Sequence, residues 1–186
     1  MKIAKIAKTQ KNYQKNNIAI IGHMGSGKSL IGKLIAKDLN YEHIDSDKLI
    51  EKNINKSIND IFLEKGENYF RKIEENSITK LYDKNNLVLS LGGGSILSKK
   101  VRDFLFKYNF VTLFLDVDLE ILQKRLINSK KRPLLFNVNI GEKLKELDSK
   151  RRKFYLLADI KLKNCDDPNQ IVSIFLENYK KLKNNK

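Results

Sequence analysis

Eight residues near the start of the chain have the types and spacing to hold a polyphosphate. Gly22-His23-Met24-Gly25-Ser26-Gly27-Lys28-Ser29 fits the pattern G-x-x-x-x-G-K-S without a mismatch. Glycines there let successive backbone N–H groups wrap phosphate oxygens, and a following helix adds about half a positive charge at its N-terminus. Lys28 would neutralise the β- and γ-phosphates, and the Ser29 hydroxyl would ligate Mg²⁺. As a loop residue, Lys28 is expected at the surface. A second pair, Asp45-x-Asp47, offers two carboxylates. One could sit near Mg²⁺ while the other accepts a proton from a substrate hydroxyl; the plainer alternative is an N-cap for a following helix. Gly92-Gly93-Gly94 is a third candidate, where close approach and free backbone N–H groups could serve ligand oxygens. No acidic residue follows that strand. Asp45 must therefore supply the carboxylate, or Mg²⁺ is held mostly through water.

The elements that must position these residues follow from the apolar pattern. Ile18–Ile21 is a short β-branched run, as in a buried parallel strand, and Ile31, Leu34, Ile35 and Leu39 recur at helical spacing after the Gly-rich turn. A strand over Glu42–Ile44 leads into Asp45. Helices are expected over Lys48–Lys52, over Ile58–Glu64 behind an N-cap at Ser57, and over Glu67–Tyr82. Leu87–Leu91 is a buried strand running into the three glycines, and Lys99–Tyr108 is helical. Phe110–Leu115 is a strand and Leu119–Ile127 a helix. Asn128–Val138 is polar, holds Pro133, and reads as a long exposed loop of the kind that forms lids. Glu142–Leu157 is a helix, Asp159–Lys163 a weak last strand, and Pro168 suits the start of a final helix over Asn169–Leu182. Strands alternating with helices predict an α/β fold with a parallel sheet. Residues 1–16 are Lys-rich, without apolar periodicity, and read as a disordered extension.

Composition narrows the class. A chain of 186 residues, 41% hydrophobic, suits one domain. Its single cysteine, Cys165, excludes an internal disulfide framework, and no apolar run approaches the roughly 20 residues that span a bilayer. The basic N-terminus lacks the apolar core of a secretory signal, so a cytoplasmic protein is expected. The net charge of +15 resembles a nucleic-acid signature. Only six of the 37 basic residues are Arg, however, and the Lys are spread along the chain beside abundant Asn and Ile. That is a compositional bias rather than a binding patch. The scarce Arg71, Arg102, Arg125, Arg132, Arg151 and Arg152 carry more information, because a Lys-rich chain keeps Arg where its planar fork is needed.

Taken together the motifs resemble the shikimate kinase family. The matching pieces are GHMGSGKS at Gly22–Ser29, IDSDKLIE at Ile44–Glu51, INDIFLEKGENYFRKIEE at Ile58–Glu75, LSLGGG at Leu89–Gly94, RPLL at Arg132–Leu135, and Arg151 with Tyr155. They occur in the family's order over about residues 17–170. The first is shared with many nucleotide-binding proteins, whereas the joint set is far more specific. Leu30 departs from the pattern, which commonly has Thr after the Ser.

The resemblance implies a three-layer P-loop fold with a five-stranded parallel sheet in the order 2-3-1-4-5. It implies one domain over 17–183, with a substrate-binding segment at about 46–75 and a lid at about 126–139. The implied activity is ATP-dependent phosphorylation of the 3-hydroxyl of shikimate, an anionic polyol. The alternative is another small-molecule kinase, such as a gluconate kinase. Lys28, Asp47 and Arg132 are the implied catalytic residues, with Asp47 also holding substrate hydroxyls and Arg132 descending with the lid. ATP falls to Gly25, Ser26, Gly27, Lys28, Ser29, Leu30, Arg125, Arg132 and Pro168. Shikimate falls to Asp47, Arg71, Gly92, Gly93, Gly94 and Arg151, with the two Arg on its carboxylate. One Mg²⁺ falls to Ser29 and, through water, Asp45. Arg151 is preferred to the adjacent Arg152 from its spacing to Tyr155 and Ala158. Glu74 is expected to orient Arg71. Phe62 and Phe70 are divided between pocket and core. A monomer is expected, with no nucleic-acid or membrane partner.

Overall fold

The computed structural model describes residues 16–127, 133–136, 138–163 and 167–184. Five strands form one parallel sheet in the order β2-β3-β1-β4-β5. They are β1 (Ile18–Ile21), β2 (Glu42–Asp45), β3 (Leu87–Ser90), β4 (Val111–Asp116) and β5 (Ile160–Lys163). The helices are α1 (Lys28–Leu39), α2 (Ser46–Ile54), α3 (Ile58–Thr79), α4 (Lys99–Lys107), α5 (Leu119–Leu126), α6 (Ile140–Tyr155) and α7 (Pro168–Asn184).

The continuous apolar runs follow from burial of both sheet faces. Side chains alternate along a strand, so each strand feeds two cores. Ala19, Ile21, Leu87, Leu89 and Phe114 pack into one with Ile78, Phe104 and Tyr155. Ile18, Ile20, Val88, Leu113 and Leu115 pack into the other with Ile31, Ile35 and Phe175. The register pairs Ile20 of β1 with Ser90 of β3 and Leu113 of β4. β1 is therefore central, and the loops after β1, β2 and β3 leave the same edge. The strand order changes direction around β1, which is where ligands bind in open α/β sheets.

Several boundaries have local causes. Gly66 breaks α3 with φ 76° and ψ 172°, a left-handed backbone conformation that a residue with a Cβ adopts only under strain. The expected division near 65–66 is thus present, α3 being two helical segments that meet at a kink on Gly66. Ser57 caps α3, its hydroxyl accepting from Asp60 N at 3.1 Å. Pro168 takes the first position of α7, where its missing N–H costs nothing. Asn40, Asn55, Asn86 and Asn109 all sit near φ 54°, the left-handed region that Asn tolerates best after Gly. The abundant Asn thus has structural uses. Asn16, counted above with the extension, hydrogen-bonds Asn85, Asn86 and Lys183. No helix among the described residues is long and apolar enough to cross a membrane.

Candidate active site

The loop between β1 and α1 turns on Gly22, Gly25 and Gly27, with φ of 145°, 78° and 90°. A Cβ on Gly22 would stand 2.8 Å from the Leu115 carbonyl oxygen, so this position has no room for a side chain. Lys28 is buried, against the expectation of a surface residue. Its ammonium donates to Gly22 O at 2.9 Å and His23 O at 2.6 Å, and lies 3.4 Å from Ser26 Oγ. The loop's own carbonyls thus hold the ammonium.

Asp45 closes β2 and answers the question its spacing left open. Oδ1 caps α2, accepting from Asp47 N at 3.0 Å and Lys48 N at 3.3 Å. Oδ2 accepts from the Ser29 hydroxyl. One carboxylate therefore serves both the helix cap and the residue expected to ligate metal. Ser29 and Asp45 present oxygens side by side, the donor type a hard divalent cation takes. Among the described residues no group of three or more His, Cys, Asp or Glu forms a ready-made metal cluster.

The glycine run after β3 differs from expectation in one respect. The Gly92 N–H is not open to a ligand, because it donates to Ser46 Oγ at 2.9 Å. Space is what the glycines provide. A Cβ on Gly92 would lie 2.6 Å from Glu74 Oε1 and 2.8 Å from Asp47 Oδ1, and one on Gly94 2.3 Å from Arg71 Nη2. Three charged side chains fill the room that side chains at 92 and 94 would take.

Arg71 is held on its helix by Glu74 Oε2 at 2.7 Å and by Glu67 Oε1 at 2.9 Å. Glu74 is buried, and its other oxygen accepts from Ser95 Oγ at 2.6 Å, so it orients Arg71 as expected. Arg151 is only 1% exposed, and its Nε and Nη1 have no hydrogen-bond partner. Burial, reinforced by the Arg71 charge and countered by Tyr155, pulls its pKa below the ordinary arginine value. Arg152 turns away to Asp116, with Nη2 3.0 Å from Oδ2. The register choice between the two is thereby explicit: Arg151 faces the cleft and Arg152 does not.

These groups line one cleft of about 730 Å³. Gly25, Gly27, Lys28, Ser29, Leu30, Asp45, Asp47, Arg71, Gly92, Gly93, Gly94 and Arg151 all border it. Ser26 is buried behind the loop. Arg125 is exposed and donates to Gly25 O at 3.3 Å, on the loop's outer side. Neither Ser26, Arg125 nor Pro168 borders the cleft among the described residues. Arg132, Lys130, Lys131 and Cys165 lie outside the described residues. Of the expected lid, Pro133 and Leu134 border the cleft and Leu135 is buried in the cluster with Met24, Val117 and Leu122. Phe62 and Phe70 do both things proposed for them. They border the cleft, their ring centroids are 4.9 Å apart, and Phe70 packs with Ile50 and Ile61. Met24, Lys48, Glu51 and Asn59 also border the cleft, and the motif reading missed them as lining residues. The i,i+4 spacing of Glu51 from Asp47 on one helix was the available signal for one of them.

A polyphosphate loop facing a buried, anion-seeking arginine across one cleft, on a parallel sheet of this order, defines a P-loop phosphotransferase acting on a small molecule. The chain belongs to the shikimate kinase family, whose family model, described as "Shikimate kinase", matches residues 24–180. A shikimate kinase of Rippkaea orientalis is 42% identical over 172 residues, covering 91% of each chain. The solved shikimate kinase of Acinetobacter baumannii in complex with shikimate superposes with a TM-score of 0.85 at 31% identity, covering 91% of this chain and 95% of that one. A gluconokinase from Sinorhizobium meliloti, at 21% identity and a TM-score of 0.63, shares the fold. The enzyme transfers phosphate to an alcohol group, as its family does.

Proposed function

We propose that the cleft transfers the γ-phosphoryl group of ATP to the 3-hydroxyl of shikimate, giving shikimate 3-phosphate and ADP. The observation that carries this reading is Arg151. A cation 1% exposed at the border of a cleft, with two buried unpartnered nitrogens, is costly unless an anion completes it. The carboxylate of a small polyol supplies that anion, and the planar Arg fork matches it. Arg71 and Asp47 border the same cleft. Coupled ADP release measured with shikimate, gluconate, nucleoside monophosphates and nucleic acid tests the reading. Turnover with shikimate alone is expected; preference for gluconate would overturn it.

The residues divide the work by position. Lys28 must leave the Gly22 and His23 carbonyls and take phosphate oxygens in their place. Asp47 holds the attacking hydroxyl and accepts its proton as the oxygen bonds to the γ-phosphorus. The bond from that phosphorus to the bridging oxygen breaks, and ADP leaves with the electron pair. Arg71 and Arg151 fix the carboxylate, and Gly92, Gly93 and Gly94 keep the wall thin enough for them to reach it. Ser29 and, through water, Asp45 would hold one Mg²⁺, which would supply charge neutralisation at the β- and γ-phosphates. Arg132, brought down by the 126–139 lid, adds positive charge at the transferring group and helps exclude water. Leu30, Ser26, Arg125 and Pro168 belong to the nucleotide side.

The wider reading is one functional domain over 17–183 with residues 46–75 as its substrate-binding segment. It works as a monomer in the cytoplasm, without nucleic-acid or membrane partners.

A further inference from the structure

His23 has no part in the scheme above, yet its side chain is among the most tightly placed in the phosphate loop. It is 3% exposed. Its Nε2 lies 2.9 Å from Asp148 Oδ1 on α6, 125 residues along the chain. Its ring meets Tyr155 edge-on, with centroids 5.1 Å apart and planes at 81°. The Tyr155 hydroxyl donates to Gly93 O at 2.6 Å. Asp148 is steadied in turn by Arg152, whose Nη1 is 3.5 Å away and whose Nη2 reaches Asp116 at the end of β4. The backbones meet at the same place. A Cβ on Gly93 would lie 3.3 Å from each of Arg151 Nη1, Gly22 O and Met24 N.

Two consequences follow. The His23 carbonyl accepts the Lys28 ammonium at 2.6 Å, so the residue that anchors the loop also holds its lysine until phosphate oxygens replace that carbonyl. Asp148 is one helical turn before Arg151, so the side chain that receives the anchor rides on the helix that carries the anion site. Transfer requires the γ-phosphorus and the attacking oxygen to come within about 3–3.5 Å, and small displacements are penalised heavily. The loop fixes the first of these atoms and Arg151 helps to fix the second.

We propose that His23 is a positioning residue for phosphoryl transfer, stapling the phosphate loop to α6 through Asp148 so that the Lys28 and Arg151 sites are held as one unit. The inference rests on the kinase reading of the cleft. Asp148 as a carboxylate only accepts, so the imidazole proton is on Nε2. That leaves Nδ1 buried without a partner. A second proton there would find no acceptor. Burial opposes it most, the charges of Arg151 and Lys28 add to that, and only Asp148 favours it, so the ring's pKa lies below its ordinary value. Tyr155 packs on the ring from α6. The staple therefore has a protonation state in which it works and one, at lower pH, in which it is strained.

The test compares H23F, H23Q and D148N with wild type for kcat and KM from pH 5 to 8, with circular dichroism for folding and calorimetry for ADP binding. H23F keeps the ring against Tyr155 and loses the donor. It should bind ADP with the wild-type Kd and show kcat lowered about tenfold. H23Q retains an N–H near the Nε2 position and should recover most of that loss. The wild-type acid limb contributed by His23 should be missing in H23F. Should H23F fail to fold, D148N still decides, because removing the charge that favours the imidazolium should displace the acid limb to lower pH. An unchanged D148N profile overturns the staple. So does H23F with wild-type kcat, or with a lowered melting temperature and no change in kcat. A wild-type enzyme that prefers another acceptor overturns the substrate reading alone, since the same variants are then compared on that acceptor.

Discussion

A Cβ on Gly94 would stand 2.3 Å from Arg71 Nη2, so the glycine and the guanidinium occupy adjoining halves of one space. Arg71 is the end of a flexible side chain, but Glu74 and Glu67 pin it. Gly94→Ala should therefore leave the fold intact and displace the guanidinium. KM for shikimate should rise about tenfold or more while KM for ATP changes little. Steady-state kinetics in both substrates check this; an equal rise in both would detach Gly94 from the substrate side.

Lys28→Met should abolish phosphoryl transfer and also cost stability. The burial of Lys28 adds the second half of that outcome. The Gly22 and His23 carbonyls lose a shared donor, which costs on the order of 1–3 kcal/mol. Denaturant titration beside an ADP-release assay measures both. Wild-type turnover would end the P-loop assignment.

Arg71→Lys should impair shikimate use more than ATP use. The charge survives, but the fork cannot at once hold Glu74 and a ligand carboxylate, and a poorly paired charge costs roughly 2–5 kcal/mol. A loss of ATP affinity with shikimate affinity retained would move Arg71 to the nucleotide side.

Stability should rise with pH up to about 6.5, the ordinary imidazole value. His43 is held below that value mainly by burial, with Asp45 opposing and Lys33 and Lys48 assisting, and its Nε2 lies 3.0 Å from Ser90 Oγ. His23 shifts in the same direction. A depressed histidine binds fewer protons folded than unfolded. Its contribution is complete above the unfolded pKa and is lost as pH falls toward the folded one, by at most about 1.4 kcal/mol per pH unit for each ring. Urea unfolding from pH 4.5 to 8 measures the slope. His43→Gln, which keeps an amide near Ser90, should make it shallower.

Arg132→Ala should lower kcat, by about 10³-fold if the residue acts as an arginine finger supplied in cis. Shikimate binding without nucleotide should barely change, because Arg71 and Arg151 are assigned that contact. Lys130→Ala and Lys131→Ala should cost little, since solvated neighbouring charges are screened. An Arg132→Ala enzyme that keeps kcat but loses shikimate affinity would place the side chain in ground-state binding.

What the sequence determined by itself was local chemistry and its order. A glycine-lysine-serine turn between a β-branched run and a helical repeat specifies the phosphate loop, because backbone conformation and side-chain period are short-range properties. The apolar runs of β1, β3 and β4 specify a sheet buried on both faces, and the joint motifs specify the family. The tertiary structure decided which neighbour does what. Spacing to Tyr155 already favoured Arg151 over the adjacent and chemically identical Arg152, but the physical cause is the packing of α6, which sets one at the cleft and the other on Asp116. The double use of Asp45 depends on Ser29 meeting it across a sheet edge. The glycines at 92 and 94 turned out to provide room for Asp47, Glu74 and Arg71, and the Gly92 N–H is already taken by Ser46, which requires knowing where α2 and α3 lie. The anchoring of His23 is not legible in the phosphate-loop motif, because its partner is 125 residues away and no spacing rule reaches that far. Contacts between distant segments arise from how whole helices pack, and that is set by the summed burial of the cores rather than by any motif.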